Sequence, residues 1–174
     1  MGVIRYNKLT ANDYVIYDNR NALLSNGIFS IVIGPKSKIW VGTYGGGISK
    51  MDGNKWVNFN TPQGLNDSFV YDQEFTKDSI WIATWSGANR VKGDPVFRDP
   101  WESFTVKNTS GGLIDNWVYS IEIGRNNNVW FGTEEGLSLF DGKRWFNWNH
   151  ENGLGAPYKL VESDNHQVTD ILKG

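Results

Sequence analysis

Two sets of three positions in this chain recur at equivalent places of a repeating pattern, yet within each set the side chains differ. They are Tyr44, Trp85 and Glu134, each after a recurring Thr, and Gly27, Phe69 and Trp117, each before a recurring apolar segment. Aromatic rings stack on flat apolar ligand faces and attract cations, while carboxylates bind cationic groups. If the two loops share a face, we expect a rim that binds sugars, cations or peptides, formed by Tyr44, Phe69, Trp85, Trp117, Glu134 and Glu135. The simpler alternative is a set of variable exposed loop residues.

Residues suited to catalysis or metal binding are few. Asp72 stands where the equivalent positions carry Ser30 and Ser120, and we expect it to face a central channel and contribute to ligand binding. One carboxylate does not make an acid/base pair. The two histidines, His150 and His166, lack the spacing of metal ligands, and the chain has no cysteine. We therefore predict no catalytic residue, no metal site and no cofactor, with calcium bound by backbone carbonyls left open.

Composition limits the class of protein and its partners. The 174 residues are 39% hydrophobic and carry a net charge of −2, which predicts a single domain spanning 1–174. No Lys/Arg-rich run marks a nucleic-acid or anionic membrane surface. No segment reaches the roughly 20 apolar residues of a spanning helix, and the first residues lack the apolar core of a signal peptide. We expect a soluble protein without nucleic-acid or membrane partners.

Internal repetition is the strongest signal in the sequence. The segment IWVGT at 39–43 recurs as IWIAT at 80–84 and as VWFGT at 129–133. Each copy is followed by a Gly-led apolar segment and then by an aromatic pair spaced three residues apart, and it is preceded by an apolar pair such as Val70-Tyr71. Four segments that recur in the same order predict a repeat architecture.

The repeated segments have the character of β-strands. Each is short, rich in β-branched and aromatic residues, and bounded by Gly, Asn or Asp. Asp52-Gly53 and Asp141-Gly142 suit tight hairpin turns, as does the Asn run at 126–128. Helical periodicity is missing, so we predict an all-β fold with almost no helix. Four strands in a unit of about 40 to 50 residues, with a Trp at a fixed place, indicate the four-stranded antiparallel blade of a β-propeller.

The repeats resemble the two-component regulator propeller repeat. The resemblance rests on Ser30-Ile31 through IWVGTYGGGIS at 39–49, and on Ser120-Ile121 through VWFGTEEGL at 129–137. The copy at Trp81 departs from the pattern, with Ala83 in place of the first Gly and a single Gly87. The resemblance implies a sensor-type role in the periplasm or outside the cell, in which a small ligand such as a glycan fragment binds the ring face.

The blades are expected at 24–62, 66–107 and 114–150, with a fourth, composite blade formed from 3–18 and 156–172. The terminal halves pair because exposed edge strands are disfavoured. They pair either within one chain, giving a four-bladed ring, or across two chains, giving an eight-bladed ring with two-fold symmetry. We favour the homodimer, because wide blades filled with Trp pack more easily in a larger ring; a monomer or a piece of a longer receptor are the alternatives.

Three functions follow from this interpretation. The favoured one is a non-enzymatic module for ligand recognition or self-assembly, with the repeated tryptophans serving as packing between blades. The second is a metal-dependent lyase or hydrolase that uses carboxylates facing the channel. The third is a purely structural ring or a fragment of a larger sensor.

Overall fold

The computed structural model describes residues 2–10, 13–94 and 99–154, together with the backbone of two strands between 158 and 171. The strands, in chain order, are β1 (Val3–Tyr6), β2 (Tyr14–Tyr17), β3 (Ile28–Ile33), β4 (Ile39–Thr43), β5 (Ile48–Asp52), β6 (Lys55–Phe59), β7 (Val70–Phe75), β8 (Ser79–Thr84), β9 (Gly87–Lys92), β10 (Glu102–Phe104), β11 (Val118–Ile123), β12 (Val129–Thr133), β13 (Gly136–Phe140), β14 (Trp145–Trp148), β15 (Tyr158–Ser163) and β16 (His166–Ile171). Within the described residues the helical segments are short 3-10 turns, and none is long and apolar enough to cross a membrane.

Three four-stranded antiparallel sheets form the body of the protein. Their strand orders are β3-β4-β5-β6, β7-β8-β9-β10 and β11-β12-β13-β14, and they are called here the first, second and third blades. Each blade is a meander in which consecutive strands pair, because short turns such as Asp52-Gly53, where Gly53 has a φ of 62°, connect antiparallel neighbours directly. The predicted all-β propeller, with split terminal blades, is confirmed.

Two of the repeated tryptophans, Trp40 and Trp81, pack between the blades. Trp40 of the first blade lies in a buried cluster with Val70, Ile80 and Ile82 of the second blade. Trp81 occupies the equivalent place against the third blade, where its ring contacts that of Phe131 at 5.7 Å. A buried Trp removes some 150–250 Å² from water, which at about 25 cal/mol/Å² corresponds to roughly 4–6 kcal/mol as an upper estimate. The expectation that these tryptophans are packing residues agrees with this burial.

A glycine at the start of the third strand of each blade is required by close packing. The residues are Gly47, Gly87 and Gly136, all with positive φ. A Cβ at these places would lie 2.2 to 2.4 Å from the carbonyl oxygen of Phe59, Phe104 or Trp148 in the neighbouring outer strand. Any larger residue would therefore push apart the third and fourth strands and move the turn that precedes them.

The innermost strand of each blade carries a β-bulge near its start. The pairing register shifts between Ile28 and Ser30 in β3, and at the same place in β7 and β11. The residues at the three bulges are Phe29, Tyr71 and Tyr119. A bulge interrupts the alternation of side chains and turns one of them in a new direction. All three blades thus present an aromatic residue at the same corner.

The terminal strands form two separate two-stranded sheets, β1-β2 and β15-β16. The β1-β2 sheet packs on the first blade through Val3 and Tyr17, whose ring contacts Trp56 at 5.2 Å. The composite blade expected from 3–18 and 156–172 is not tested by this pairing and stays a prediction.

Candidate functional site

The loops that lead into the inner strands and the turns between second and third strands lie side by side, at the end of each blade where the inner strand begins. One backbone hydrogen bond joins them in every blade, from Tyr44 N to Gly27 O at 2.8 Å, from Trp85 N to Phe69 O at 3.2 Å, and from Glu134 N to Trp117 O at 3.1 Å. The two loops share a face, as the equivalent sequence positions suggested.

A second interaction fixes the loop before the inner strand. A side-chain oxygen accepts the backbone N–H two residues later, with pairs Ser25 and Gly27 at 3.2 Å, Asp67 and Phe69 at 2.9 Å, and Asp115 and Trp117 at 2.7 Å. Short polar side chains hold turns in this way. The three blades therefore share these two hydrogen bonds, although the turn at 44–47 is one residue longer than its counterparts, and the displayed side chains differ.

An outer row of aromatic rings runs along these loops from blade to blade. The ring centroids of Tyr44 and Phe69 are 4.6 Å apart in an edge-to-face arrangement, and those of Phe69 and Trp85 are 5.2 Å apart. Trp85 then stacks on Trp117 at 4.6 Å with an interplanar angle of 20°. Four of the six predicted rim residues thus form one continuous contact chain.

An inner row is formed by the bulge residues. Phe29 stacks on Tyr71 at 4.7 Å, and Tyr71 meets Tyr119 edge-on at 5.6 Å. The two rows are joined at both ends, by the pairs Phe29–Tyr44 and Trp117–Tyr119. We call the whole surface the aromatic face, defined by Phe29, Tyr44, Phe69, Tyr71, Trp85, Trp117 and Tyr119.

The aromatic face is both accessible and held in place. Phe29, Tyr44, Trp85 and Tyr119 are exposed, although large aromatic residues are usually covered in a folded domain. Phe69, Tyr71 and Trp117 are half-buried between them. Because each ring contacts others, a ligand that binds here would immobilise few new side-chain rotamers.

Glu134 closes the third-blade end of the aromatic face. Its carboxylate accepts a hydrogen bond from the Tyr119 hydroxyl at 2.6 Å. This hydrogen bond to a negative charge favours the protonated phenol and raises the pKa of Tyr119 to about 12. Glu135 is exposed at the same turn. The predicted acidic part of the rim thus adjoins the aromatic part.

Asp72 connects two blades. One carboxylate oxygen accepts the backbone N–H of Ile121 in the third blade at 2.9 Å, and the other accepts the N–H of Gln73 at 2.8 Å. Asp72 therefore links the inner strands of the second and third blades by hydrogen bonds and makes none of the ring contacts that define the aromatic face, and its part in ligand binding stays a prediction.

Two further carboxylates of the inner strands were not singled out from the sequence. Burial raises the pKa of Glu74, and the nearby charges of Asp72 and Glu122 raise it further. The sequence could have indicated them, because Glu recurs at the same repeat position as Glu74 and Glu122. Within the residues described with side chains, no group of three or more His, Cys, Asp and Glu is placed to hold a metal ion. His166 lies outside those residues.

The opposite ends of the inner strands carry a different chemistry. A cleft of about 250 Å³ lies between the first and second blades beside Trp40 and Phe75. Lys38 and Lys50 both donate to Asp94 at its margin. Burial opposes ionisation of Asp94, but these hydrogen bonds outweigh it and lower its pKa. The cations and carboxylates here pair with each other, whereas four of the seven rings of the aromatic face are exposed.

Comparison with protein families gives a match inside the third blade. Residues 112–135 match the family model described as "Two component regulator propeller". The matched segment contains Trp117, Tyr119 and Glu134 of the candidate site. No match is found among curated protein sequences.

Solved structures extend the likeness to most of the chain. The extracellular domain of a hybrid two component system from B. thetaiotaomicron is 26% identical, with a TM-score of 0.67 over 82% of this chain and 20% of that chain. The extracellular domain of a one component system from the same organism is 17% identical, with a TM-score of 0.66 over 99% of this chain and 29% of that chain. The chain thus spans less than a third of the length of these relatives.

A catalytically inactive virginiamycin B lyase from Staphylococcus aureus, solved with quinupristin, shares the fold alone. It is 19% identical, with a TM-score of 0.55 over 83% of this chain and 49% of that chain. The family match and the likeness to extracellular domains of two-component systems point the same way. The chain has the fold of a β-propeller, and residues 112–135 match the two-component regulator propeller repeat that the sequence resembles.

Proposed function

We propose that this propeller is a non-enzymatic recognition module of a sensor-type protein, and that its aromatic face binds a glycan or another small ligand with flat apolar surfaces. The observation that carries the proposal is the unbroken chain of ring contacts across three blades, on loops that share one backbone hydrogen bond while their side chains differ. Residues that only support the fold recur, as Trp40 and Trp81 do. Residues that diverge on a fixed backbone suit recognition.

The chemistry of the aromatic face matches a carbohydrate. The paired rings of Trp85 and Trp117 offer an extended π surface for the C–H face of a sugar, and the Tyr44 hydroxyl stands at the other end of the same row. Glu134 and Glu135 are acceptors for sugar hydroxyls or for a cationic group. The related extracellular domains support a location in the periplasm or outside the cell.

The experiment is a binding screen against a panel of oligosaccharides, followed by calorimetry with any that bind. The double variant Trp85→Ala and Trp117→Ala should lose binding by tenfold or more. Phe146→Ala is the matched control, because Phe146 is 38% exposed and Trp85 41%, yet Phe146 lies on the outer strand β14. Unchanged affinity in the double variant would reject the site.

An enzyme that uses the inner-strand carboxylates is the second candidate. It is favoured by the position of Glu74 near Asp72 and Glu122, whose charges and the burial of Glu74 raise its pKa, because a carboxyl that holds its proton more tightly is suited to act as a general acid. A turnover screen with added divalent cations tests it. Activity that disappears in Glu74→Gln and survives in the Trp85→Ala and Trp117→Ala variant would support the enzyme over the binding module.

A further inference from the structure

The loops of the aromatic face carry charge of one sign only. No Lys or Arg occurs in the six described loop segments that hold its rings, which are 23–29, 43–47, 65–71, 84–87, 113–119 and 133–136. The same segments contain four carboxylates, those of Asp67, Asp115, Glu134 and Glu135. The whole chain is nearly balanced, with 17 Lys and Arg residues against 19 Asp and Glu residues. The excess of negative charge is therefore a local property of this surface.

Neutral donors hold these carboxylates in place. Asp67 accepts hydrogen bonds from the Phe69 backbone N–H at 2.9 Å and from the Ser86 hydroxyl at 2.8 Å. Asp115 accepts the backbone N–H of Trp117 at 2.7 Å. None of the four carboxylates forms an ion pair with a cationic side chain of the described residues. Their positions are thus fixed while their charge is left without a cation.

Carboxylates between and within the blades are treated differently. Lys50 forms an ion pair with Asp94 across the junction of the first and second blades. Arg90 forms one with Glu102 inside the second blade, and its guanidinium lies over the Trp81 ring at 5.0 Å. There the cation that accompanies an aromatic ring and a carboxylate belongs to the protein. On the aromatic face the rings and carboxylates are present, and a ligand would have to supply the cation.

The negative charge is concentrated toward the third blade. Glu134 and Glu135 are exposed on the turn of that blade, and Asp115 lies on its loop. The equivalent turn and loop of the first blade carry the uncharged residues Tyr44 and Ser25. The aromatic face therefore has a neutral end and an acidic end, which would orient a ligand that carries positive charge.

Two of these carboxylates act on one point of the surface. The hydrogen bond to Glu134 raises the pKa of Tyr119 most, and the charges of Glu134 and Asp115 raise it further. The ring of Tyr119 lies 5.4 Å from that of Trp117. A protonated amine placed beside this hydroxyl would be attracted both by the carboxylates and by the faces of the rings.

We propose that the ligand of the aromatic face is a glycan with free amino groups, whose sugar rings follow the aromatic row and whose protonated amine lies beside Asp115, Glu134 and Glu135. This inference rests on the proposed function, because it names the class of glycan that the same site takes. A row of rings suits an oligosaccharide, since each sugar unit can present an apolar face to it. An extended peptide turns successive side chains to opposite sides, so only every second one would reach the row.

The first test compares two oligosaccharides that differ only in charge. These are the hexamer of N-acetylglucosamine, which is neutral, and the hexamer of glucosamine, at a pH at which its amines are protonated. By calorimetry at low salt, the glucosamine hexamer should bind at least tenfold more tightly. The difference should shrink at about 1 M salt, where the screening length falls to about 3 Å.

The outcomes separate this inference from the proposed function. Equal or tighter binding of the neutral hexamer would overturn the inference and leave the proposed function in place. Failure of both hexamers to bind would also overturn it, and the wider oligosaccharide panel would still decide the proposed function.

The second test removes charge from the acidic end without removing its hydrogen bonds. In the double variant Asp115→Asn and Glu135→Gln, the Asn oxygen can still accept the Trp117 N–H, and Glu134 is unchanged. This variant should bind the glucosamine hexamer at least tenfold more weakly and should keep the melting temperature of the wild type within a few degrees. Unchanged affinity would contradict the proposed position of the amine.

A matched control removes the same charge elsewhere. The double variant Asp13→Asn and Asp78→Asn changes two exposed carboxylates, one in the turn between β1 and β2 and one in the turn between β7 and β8, at the opposite ends of the inner strands. Its affinity for the glucosamine hexamer should match that of the wild type. An equal loss in both double variants would show that net charge attracts the hexamer, and this would overturn the inference.

A lysine hexamer tests whether positive charge alone is sufficient. It should bind more weakly than the glucosamine hexamer, because it offers no flat apolar faces to the row. Binding as tight as that of the glucosamine hexamer would overturn the assignment to a glycan and would support a basic peptide. If the Trp85→Ala and Trp117→Ala variant kept full affinity for the glucosamine hexamer, the aromatic face itself would be rejected, and the inference with it.

Discussion

The interior between the blades and the aromatic face are built from the same residue types in opposite ways. Between the blades, Trp40 and Trp81 recur at equivalent positions and are buried. Tyr44 and Trp85 of the aromatic face, and Glu134 at its end, stand at equivalent positions, differ from one another, and are exposed. The same residue type fits between every pair of neighbouring blades, because the sheets have the same shape. A surface that recognises a ligand needs a different group at each position.

This contrast separates stability from recognition within a single class of side chain. Substitutions in the interior should lower the free energy of unfolding by several kcal/mol, whereas substitutions on the aromatic face should change it little. Four predictions test the contrast, in order of decreasing effect.

Trp81→Ala should have the largest effect. The Trp81 ring contacts Phe104 at 5.0 Å and Phe131 at 5.7 Å, and the Arg90 guanidinium lies 5.0 Å from its centre. Removing it leaves a cavity that these neighbours cannot fill, at a cost of about 3–5 kcal/mol. Denaturant unfolding measures the change, with Trp81→Phe as a milder control. A decrease in the free energy of unfolding below about 1 kcal/mol would mean that the residues between the blades are not tightly packed around Trp81.

Asp72→Ala should rank second. The backbone N–H of Ile121 would lose its charged acceptor at the junction of two inner strands, which costs about 1.5–3 kcal/mol. Asp72→Asn keeps an acceptor oxygen and should cost less. Chemical denaturation of the three proteins gives the comparison, and equal stability of wild type and Asp72→Ala would show that Asp72 does not support the fold.

Trp85→Ala should cost about 0.5–1.5 kcal/mol for each of its two aromatic contacts, and less in total than Trp81→Ala. The side chain is exposed and contacts the rings of Trp117 and Phe69, so little burial is lost. The same denaturation assay as for Trp81→Ala measures it. A loss as large as that of Trp81→Ala would remove the distinction between the interior and the aromatic face.

Glu134→Gln should have the smallest effect on stability and a clear effect on titration. Without the carboxylate, the pKa of Tyr119 should fall from about 12 toward the ordinary value of 10.0. A raised pKa in the folded state adds stability below the unfolded value and loses it as pH rises through the folded value. The two proteins should therefore differ in pH dependence only above about pH 10. Titration by tyrosinate absorbance, with Glu135→Gln as control, measures the shift, and an unshifted curve would contradict the bond.

The repeat explains why the fold was predictable. The IWVGT segment and its copies contain a Trp that packs between blades, a Thr at the turn and small residues near the bulge. Each copy therefore predicts the same strand with the same contacts. The recurrence of Gly at 47, 87 and 136 indicated a position where a side chain does not fit, and a Cβ there would indeed lie too close to a carbonyl oxygen of the next strand. The loops of the candidate site lie side by side in every blade, which meets the condition set for the rim, because equivalent positions of a repeat take equivalent places in space.

The inner row of the aromatic face was harder to predict. Phe29, Tyr71 and Tyr119 lie inside strands, where simple alternation assigns each residue to one side of a sheet. The bulge that turns them toward the loops has no glycine to mark it, so only the recurrence of an aromatic residue could have signalled it. Asp72 was expected in the channel because its neighbours at that repeat position are small; its two backbone partners depend on the spacing of adjacent blades, which the sequence does not encode locally.

The hydrogen bond from the turn after the second strand to the loop before the first strand separates conformation from side-chain identity. It uses only backbone atoms, so a substitution at Tyr44, Trp85 or Glu134 by any residue except proline keeps both of its partners. The loop of each blade can therefore keep its conformation while its displayed side chain changes, so single substitutions can alter ligand preference. Each added blade extends the surface by one more such loop, and this gives repeat propellers a route to new specificities.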